Sequence, residues 1–378
     1  MRLPLRVGQV FSVMPVDVAT GAWSPRRAVY AVLLSCGLSA LAASSAAMQL
    51  LKEKRVLTDL MVVVFYLLAS VMSWLFVQLG RGWATLLGAF RAQERQHGVS
   101  PGLRRRLTLI TGVLLSLALV EHSLSQMQNI SAVLHARPNA SGFGEYFEAY
   151  YRGQFPMVIL VLGYWPVTAP VVMFLNFSAT FLWNFTDLFI MLMGVSVASR
   201  FKLLQQSVSV ASGNTPKLRP PPVLGRAYWR DARRAYNSLS KLVRLVDQAL
   251  NVQLFVSFLN NLYFICMQLL RGFDARSDPS LTWVARGYVL FSFAFLVGRT
   301  SAVSLLVSSV HENSRAMQDV LYCVCSEDYS EEVYRFLVQV TSEMVGFSGL
   351  KMFKVTRGLL LTVAGTILTY EVVLVQLN

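Results

Sequence analysis

TYEVVLVQLN (369–378) ends the chain, and it closes a stretch from Gly358 onward that carries one charged residue, Glu371. About 20 apolar residues in a row are enough to cross the roughly 30 Å hydrocarbon core of a bilayer as a helix. The stretch therefore reads as a membrane span running to the C-terminus, which is not how a water-soluble domain ends. The rest of the chain agrees. Of its 378 residues, 54% are apolar and 14% charged, against about 25% charged in ordinary globular chains, and the mean hydropathy is +0.50.

Working backward and forward from that span, apolar runs of spanning length fall at Ala28 to Leu51, Val56 to Leu79, Leu107 to Met127, within Phe155 to Ser199, and at Leu242 to Leu270, Leu281 to Ser304 and Val355 to Leu377. This predicts an all-α membrane protein with seven spans. The N-terminal 15 residues are broken by Pro4 and Pro15 and lack an apolar core with a cleavage site, so no removable signal peptide is expected. Orientation follows from Lys and Arg. An N-terminus in the cytosol places 26 of the 34 in cytosolic segments, the bias expected of the positive-inside rule, and puts the C-terminus outside. The net charge of +14 is thus spread over juxtamembrane loops facing anionic lipids and does not indicate nucleic acid. That orientation is opposite to G-protein-coupled receptors, whose Asp-Arg-Tyr and Asn-Pro-x-x-Tyr elements are also missing. A G-protein-type seven-helix receptor remains as the alternative class.

Cys36 and Cys266 fall inside spans, and Cys323 and Cys325 in the last cytosolic segment, so reduced thiols are expected and no disulfide or metal site. No cofactor is implied, and enzyme signatures are missing: HENSR (311–315) lacks the second histidine of a zinc-protease helix, and no phosphate loop is present. The second span should run on as helix through Gly82 to Gln96 until Gly98 and Pro101. Pro156, Pro166 and Pro170 should break the outer part of the fourth region before a regular helix from about Val171 to Phe201. SGNTPKLRPPP (212–222) reads as a linker, after which helix restarts. Ser330, followed by acids at 331 and 332, is the expected N-cap of a cytosolic helix ending near Gly346 and Gly349. Asn129-Ile-Ser and Asn139-Ala-Ser are glycosylation triplets in an outer loop, whereas those at Asn176 and Asn184 lie inside a span and are read as chance matches.

An ionisable residue within a span costs roughly 2.5 to 3.5 kcal/mol on insertion scales and needs a partner, a cavity or a function. Glu121 and His122, with Ser125 and Gln126 one turn on, lie near the outer end of the third span. Asp59 and Tyr66, Tyr164 and Trp165, Asn261 and Gln268, and Trp283, Arg286 and Tyr288 lie at comparable depth on other spans. Polar groups that bond hydroxyls, mixed with rings that stack on C–H faces, are what a sugar pocket needs. Interhelical hydrogen bonding and interfacial anchoring fit the same residues. Asp187 sits deeper and reads as a structural partner of a neighbouring helix.

Several segments together resemble one family. GQVFSVMPVDV (8–18), TFLWNFTDLFIML (180–192), WRDARRAYNSL (229–239), LNNLYFICMQLL (259–270), HENSR (311–315) and VAGTILTYEVVLVQL (363–377) are similar to the insect gustatory receptors, in particular the sugar subgroup. Thr369-Tyr370, five residues and Gln376 match the motif that closes insect chemoreceptors, with Gln376-Leu377 standing where gustatory receptors usually have Gln-Phe. The resemblance implies a homo- or heterotetrameric, ligand-gated, non-selective cation channel in the plasma membrane. Its parts would be 1–310, with spans one to six and an outward-open ligand pocket; 311–354, a cytosolic anchor; and 355–378, a pore-lining helix. The expected partners are a sugar, other subunits of the family, membrane lipids and cations. A channel of this fold for a non-sugar ligand is the second alternative. Projection at 100° per residue places Thr362, Thr366, Thr369, Val373, Gln376 and Leu377 on one stripe, with Glu371 nearly opposite. By the resemblance, Val373 and Leu377 match gate positions and Gln376 the glutamine between them. Threonines bonding back to their own helix are the competing reading.

Overall fold

The computed structural model describes residues 8, 14–17, 20–51, 57–136, 142–212, 224–277, 283–365 and 369, the side chains of 57–59, 97, 271–277 and 283–284 excepted. Over these the chain is helical almost throughout: α1 Pro25–Leu51, α2 Leu57–His97, α3 Leu103–Ala136, α4 Phe143–Gln154, α5 Pro156–Leu162, α6 Ala169–Ala211, α7 Arg226–Ser277, α8 Trp283–Arg315, α9 Met317–Tyr322 and α10 Glu331–Ser342. A hairpin of β1 Ser348–Gly349 and β2 Phe353–Lys354 follows, and residues 357–365 begin the last helix. Six of the described helices (α1, α2, α3, α6, α7 and α8) are long and apolar enough to cross a membrane. Of the seventh expected span, Val355 to Leu377, residues 366–368 and 370–377 lie outside the described residues.

Helix α6 is the axis of the bundle. From Asn184 to Ala198 every side chain is buried, as expected of a helix apolar on all faces. Where α8 crosses it, a Cβ on Gly194 would stand 3.1 Å from both the Leu306 carbonyl oxygen and Val307 Cα, so the missing side chain lets the two backbones approach. Helices α1 and α2 are joined by serines, Ser35 Oγ to Ser73 Oγ at 2.6 Å and Ser39 Oγ to Ser70 Oγ at 2.7 Å.

The helix breaks follow local chemistry. Helix α2 ends at His97 because Gly98 takes φ +74 and its N–H bonds the Glu94 carbonyl. Between α4 and α6 the chain turns at Phe155, with Pro156 opening α5, and again at Gly163 (φ +69). Helix α6 then runs ten residues beyond the expected Phe201. Helix α7 is continuous for 52 residues, about 78 Å at 1.5 Å per residue, so the helix that restarts after the linker and the fifth span are one rod.

At the end assigned to the cytosol, Trp229, Tyr236, Val243, Val246 and Leu250 bury one face of α7. Ser330 does stand at the N-cap of α10, but its hydroxyl makes no capping bond. The acids after it are instead clasped by arginines: Glu332 lies 2.9 Å from Arg233, and Glu331 lies 2.7 Å from Arg335. The hydrogen bond from Arg233 holds the Glu332 carboxyl below its usual range. A depressed carboxylate pKa stabilises the fold at neutral pH, and that stability is lost as pH falls through the lowered value. Helix α10 ends at Ser342, short of the expected glycines, because the chain from Gly346 joins the hairpin. Ser348 donates to Asp247 of α7 through its N–H at 2.6 Å and its hydroxyl at 2.9 Å. A Cβ on Gly349 would run into the Phe353 ring.

Candidate ligand cavity and family

Facing α3, α6, α7 and α8 with α2 behind, a cavity of about 270 Å³ opens in the half of the bundle assigned to the outside. Helix α6 contributes a polar ladder, Asn176, Thr180 and Asn184, spaced four residues apart and so stacked on one face. Glu121, His122, Ser125, Gln126 and Asn129 line it from α3, Gln268 and Phe264 from α7, and Tyr288, Ser292, Phe295 and Arg299 from α8.

Its floor is a buried charge network. Arg299 Nε lies 2.9 Å from Asp187 Oδ2, and the two side chains are 3% and 0% exposed. Arg299 also donates to Asn184 Oδ1, and to Asn261 Oδ1 at 3.1 Å. Asp187 further accepts from the Ser257 hydroxyl and, at 3.0 Å, from the Asn261 amide. The expected role of Asp187 as a partner across helices is thus given its partners. Trp183 bonds Asn261 Oδ1 at 3.0 Å, lies 4.6 Å beneath the Arg299 guanidinium, a cation–π distance, and tilts against Phe264 at 4.7 Å. Higher up, Ser292 donates to Glu121 at 2.9 Å and receives a bond from Gln268 at 3.1 Å. The Tyr288 hydroxyl also hydrogen-bonds Glu121. Asn129, a glycosylation triplet in the sequence, lines the cavity and donates to Gln154 at 3.2 Å.

Of the residues singled out in the sequence, the structure gathers Glu121, His122, Ser125, Gln268 and Tyr288 around one space. It leaves others out. Tyr66 is buried behind the wall, donating to Asn176 at 2.9 Å, and Asn261 braces the floor from beneath. Tyr164 packs on Tyr151 and Arg152, Trp165 is 63% exposed, and Arg286 faces outward. Tyr164 and Trp165 lie in the turn between α5 and α6, and Arg286 lies on the exposed side of α8, so none of the three lines the cavity. The side chains of Asp59 and Trp283, together with Asn139, Thr366, Glu371, Val373, Gln376 and Leu377, lie outside the described residues. Trp183 and Arg299, at the floor, are not among the residues singled out, and Asn184 is named there only as a chance triplet. In the last helix Thr362 and Thr369 donate to the carbonyls of Gly358 and Gly365, at 3.1 and 2.9 Å, the back-bonded arrangement weighed above.

A family model described as "Trehalose receptor" matches residues 3–378. The chain belongs to this family of insect gustatory receptors. Among its relatives, the gustatory receptor for sugar taste 64f of Drosophila melanogaster is 32% identical over 99% of this chain and 79% of its own length. The gustatory receptor 5a for trehalose of the same species is 34% identical over 84% of this chain and 69% of its own. The fold is that of the insect olfactory receptor OR5 from Machilis hrabei, matched at a TM-score of 0.70 over the whole of both chains with 13% identity. This gustatory receptor is therefore a multi-pass membrane protein of the insect chemoreceptor fold.

Proposed function

We propose that the receptor is a subunit of a tetrameric, sugar-gated, non-selective cation channel of the plasma membrane that acts as a sweet-taste receptor, and that the cavity between α3, α6, α7 and α8 is its sugar site. The observation that carries this reading is the cavity's make-up. Hydroxyl-bonding amides, Glu121 and Ser292 surround a floor of Trp183 and Phe264, in a family whose relatives are named for sugar taste and trehalose. The volume lies just under the roughly 300 to 1,000 Å³ of sites for drug-sized ligands, which suits a small saccharide. Its one Arg among the lining residues is already engaged by Asp187, so a neutral polyol matches it better than an anion.

The ion path is assigned to the last helix, with Thr369, Val373, Gln376 and Leu377 toward the axis and 311–354 as the cytosolic anchor. Support for a mechanical link comes from HENSR. Glu312 pairs with Arg357 at the root of the last helix, and His311 Nδ1 lies 3.1 Å from the Val345 carbonyl oxygen ahead of the hairpin. The end of α8, which carries Arg299 higher up, is thereby tied to the pore element. A narrow apolar section gates by dewetting, and a ring of like charge there excludes ions of that charge. Gln376→Arg is accordingly expected to abolish cation current without lowering surface expression, and Val373→Ala to raise ligand-independent current. Whole-cell recordings at matched surface labelling decide it; unchanged currents in both variants would remove the last helix from the ion path.

A further inference from the structure

Beside the cavity described above lies a second one, of about 590 Å³, between α3, α4 and α6. Its walls are apolar, with Ile130, Val133 and Leu134 from α3, Phe147 from α4, and Phe155 and Phe177 closing it. Polar side chains gather at one inner corner: His122, Gln126 and Asn176, which also line the first cavity, and Tyr150. His122, Gln126 and Asn176 thus form a two-sided wall. We propose that this second cavity is a binding site for an uncharged lipophilic alcohol, whose occupant reduces sensitivity to the sugar on the other side of that wall.

Three features select this chemistry. The volume falls within the range of small-molecule sites. No Lys, Arg, Asp or Glu is among the lining residues, so a charged headgroup would enter an apolar space with no counter-charge, at high desolvation cost. A plain hydrocarbon would in turn make no use of the polar corner. There the Tyr150 hydroxyl donates to Gln126, while His122 Nε2 stands 3.5 Å from Gln126 Nε2, too long for a strong hydrogen bond. A single ligand hydroxyl has room to bond His122 or to compete for Gln126. Access is from the lipid side of the bundle. Ile130, Leu134 and Phe143, at 49%, 48% and 83% exposure, rim the cavity on the outer half of α3 and the start of α4. An apolar molecule dissolved in the outer leaflet meets these side chains first. Once its hydroxyl engages His122 or Gln126, those groups are withdrawn from the sugar cavity. One hydrogen bond weakened in this way corresponds to roughly a 2- to 12-fold loss of affinity.

Binding stands on this cavity alone, and only its effect on the sugar response rests on the function proposed above. Two readouts keep them apart. In receptor purified into lipid nanodiscs, geraniol should raise the thermal unfolding midpoint saturably. Decanoate, a chain of similar reach with a charged head, should not. Val133→Trp, which fills the cavity, should abolish the geraniol shift, and Val133→Ala, which leaves it open, should keep it. In cells, geraniol should raise the half-maximal sugar concentration about 2- to 12-fold in the wild type and leave it unchanged in Val133→Trp. A geraniol shift of equal size in Val133→Trp, or an equal shift from decanoate, overturns the site. If Val133→Trp does not fold, the contrast of geraniol with decanoate on the wild type and on Val133→Ala still decides it. A cavity-specific thermal shift in a receptor that no sugar activates would uphold the site and refute the sugar reading instead.

Discussion

Asp187→Ala is expected to remove most of the receptor from the cell surface. The carboxylate is wholly buried, and it is the ion-pair partner of Arg299, itself 3% exposed by side chain. Deleting one member of a buried pair leaves the other charge uncompensated, at a cost of about 3 to 5 kcal/mol, a large part of the roughly 5 to 15 kcal/mol that holds a domain together. Asp187 also accepts from Ser257 and Asn261, so two further donors lose their acceptor. Arg299→Ala should be nearly as damaging, because it strands Asp187 and uncovers Trp183. The decisive comparison is Asp187→Asn combined with Arg299→Gln, a neutral pair of similar shape. It should recover more than half of the surface expression lost by either alanine variant, since the penalty is unpaired charge and not lost bulk. Surface labelling, with the unfolding midpoint of solubilised receptor, measures all of these. Wild-type behaviour in the single variants would show that this network does not hold the bundle.

The second large effect concerns Glu121. It accepts from Ser292, and from Tyr288, at the wall of the cavity whose floor holds Arg299. Glu121→Ala removes an acceptor from ligand and wall alike. An unmet buried hydrogen bond costs about 1 to 3 kcal/mol, or roughly 5- to 150-fold in half-maximal sugar concentration. Glu121→Gln keeps an acceptor oxygen and should fall between alanine and wild type. Equal midpoints in all three at matched surface expression would leave Glu121 as an interhelical tie with no part in binding.

Six spans, the end of α2 and the interruption before α6 were legible because bilayer thickness imposes a length on apolar runs, and Pro and Gly mark where helix cannot continue; the end of α6, ten residues past Phe201, was not. The hairpin at 348–354 was not: two-residue strands carry no period, and its position depends on Asp247, 101 residues earlier. The cavity was half legible. Glu121 and His122 stood out as ionisable residues in a span. The α6 ladder was available as polar residues at 176, 180 and 184, but Asn176 and Asn184 had been set aside as chance glycosylation triplets when their four-residue repeat was the signal. Arg299 was counted with the basic residues that set topology, although it lies within the apolar run and is buried. Tyr164 and Trp165 fall in the turn between α5 and α6 and Arg286 on the exposed side of α8, placements that depth along the chain does not fix.

Whole-cell current in cells expressing either the wild type or Ser125→Trp, recorded against a panel of neutral sugars, decides whether the cavity holds a sugar that opens the channel. Ser125 is a small residue on the cavity wall, and an indole there occupies the space a sugar would need while its position on α3 leaves the charged floor untouched. A cation current evoked by at least one sugar is expected in the wild type, and none from Ser125→Trp at equal surface expression. A sugar-evoked current with the same midpoint in both would contradict it.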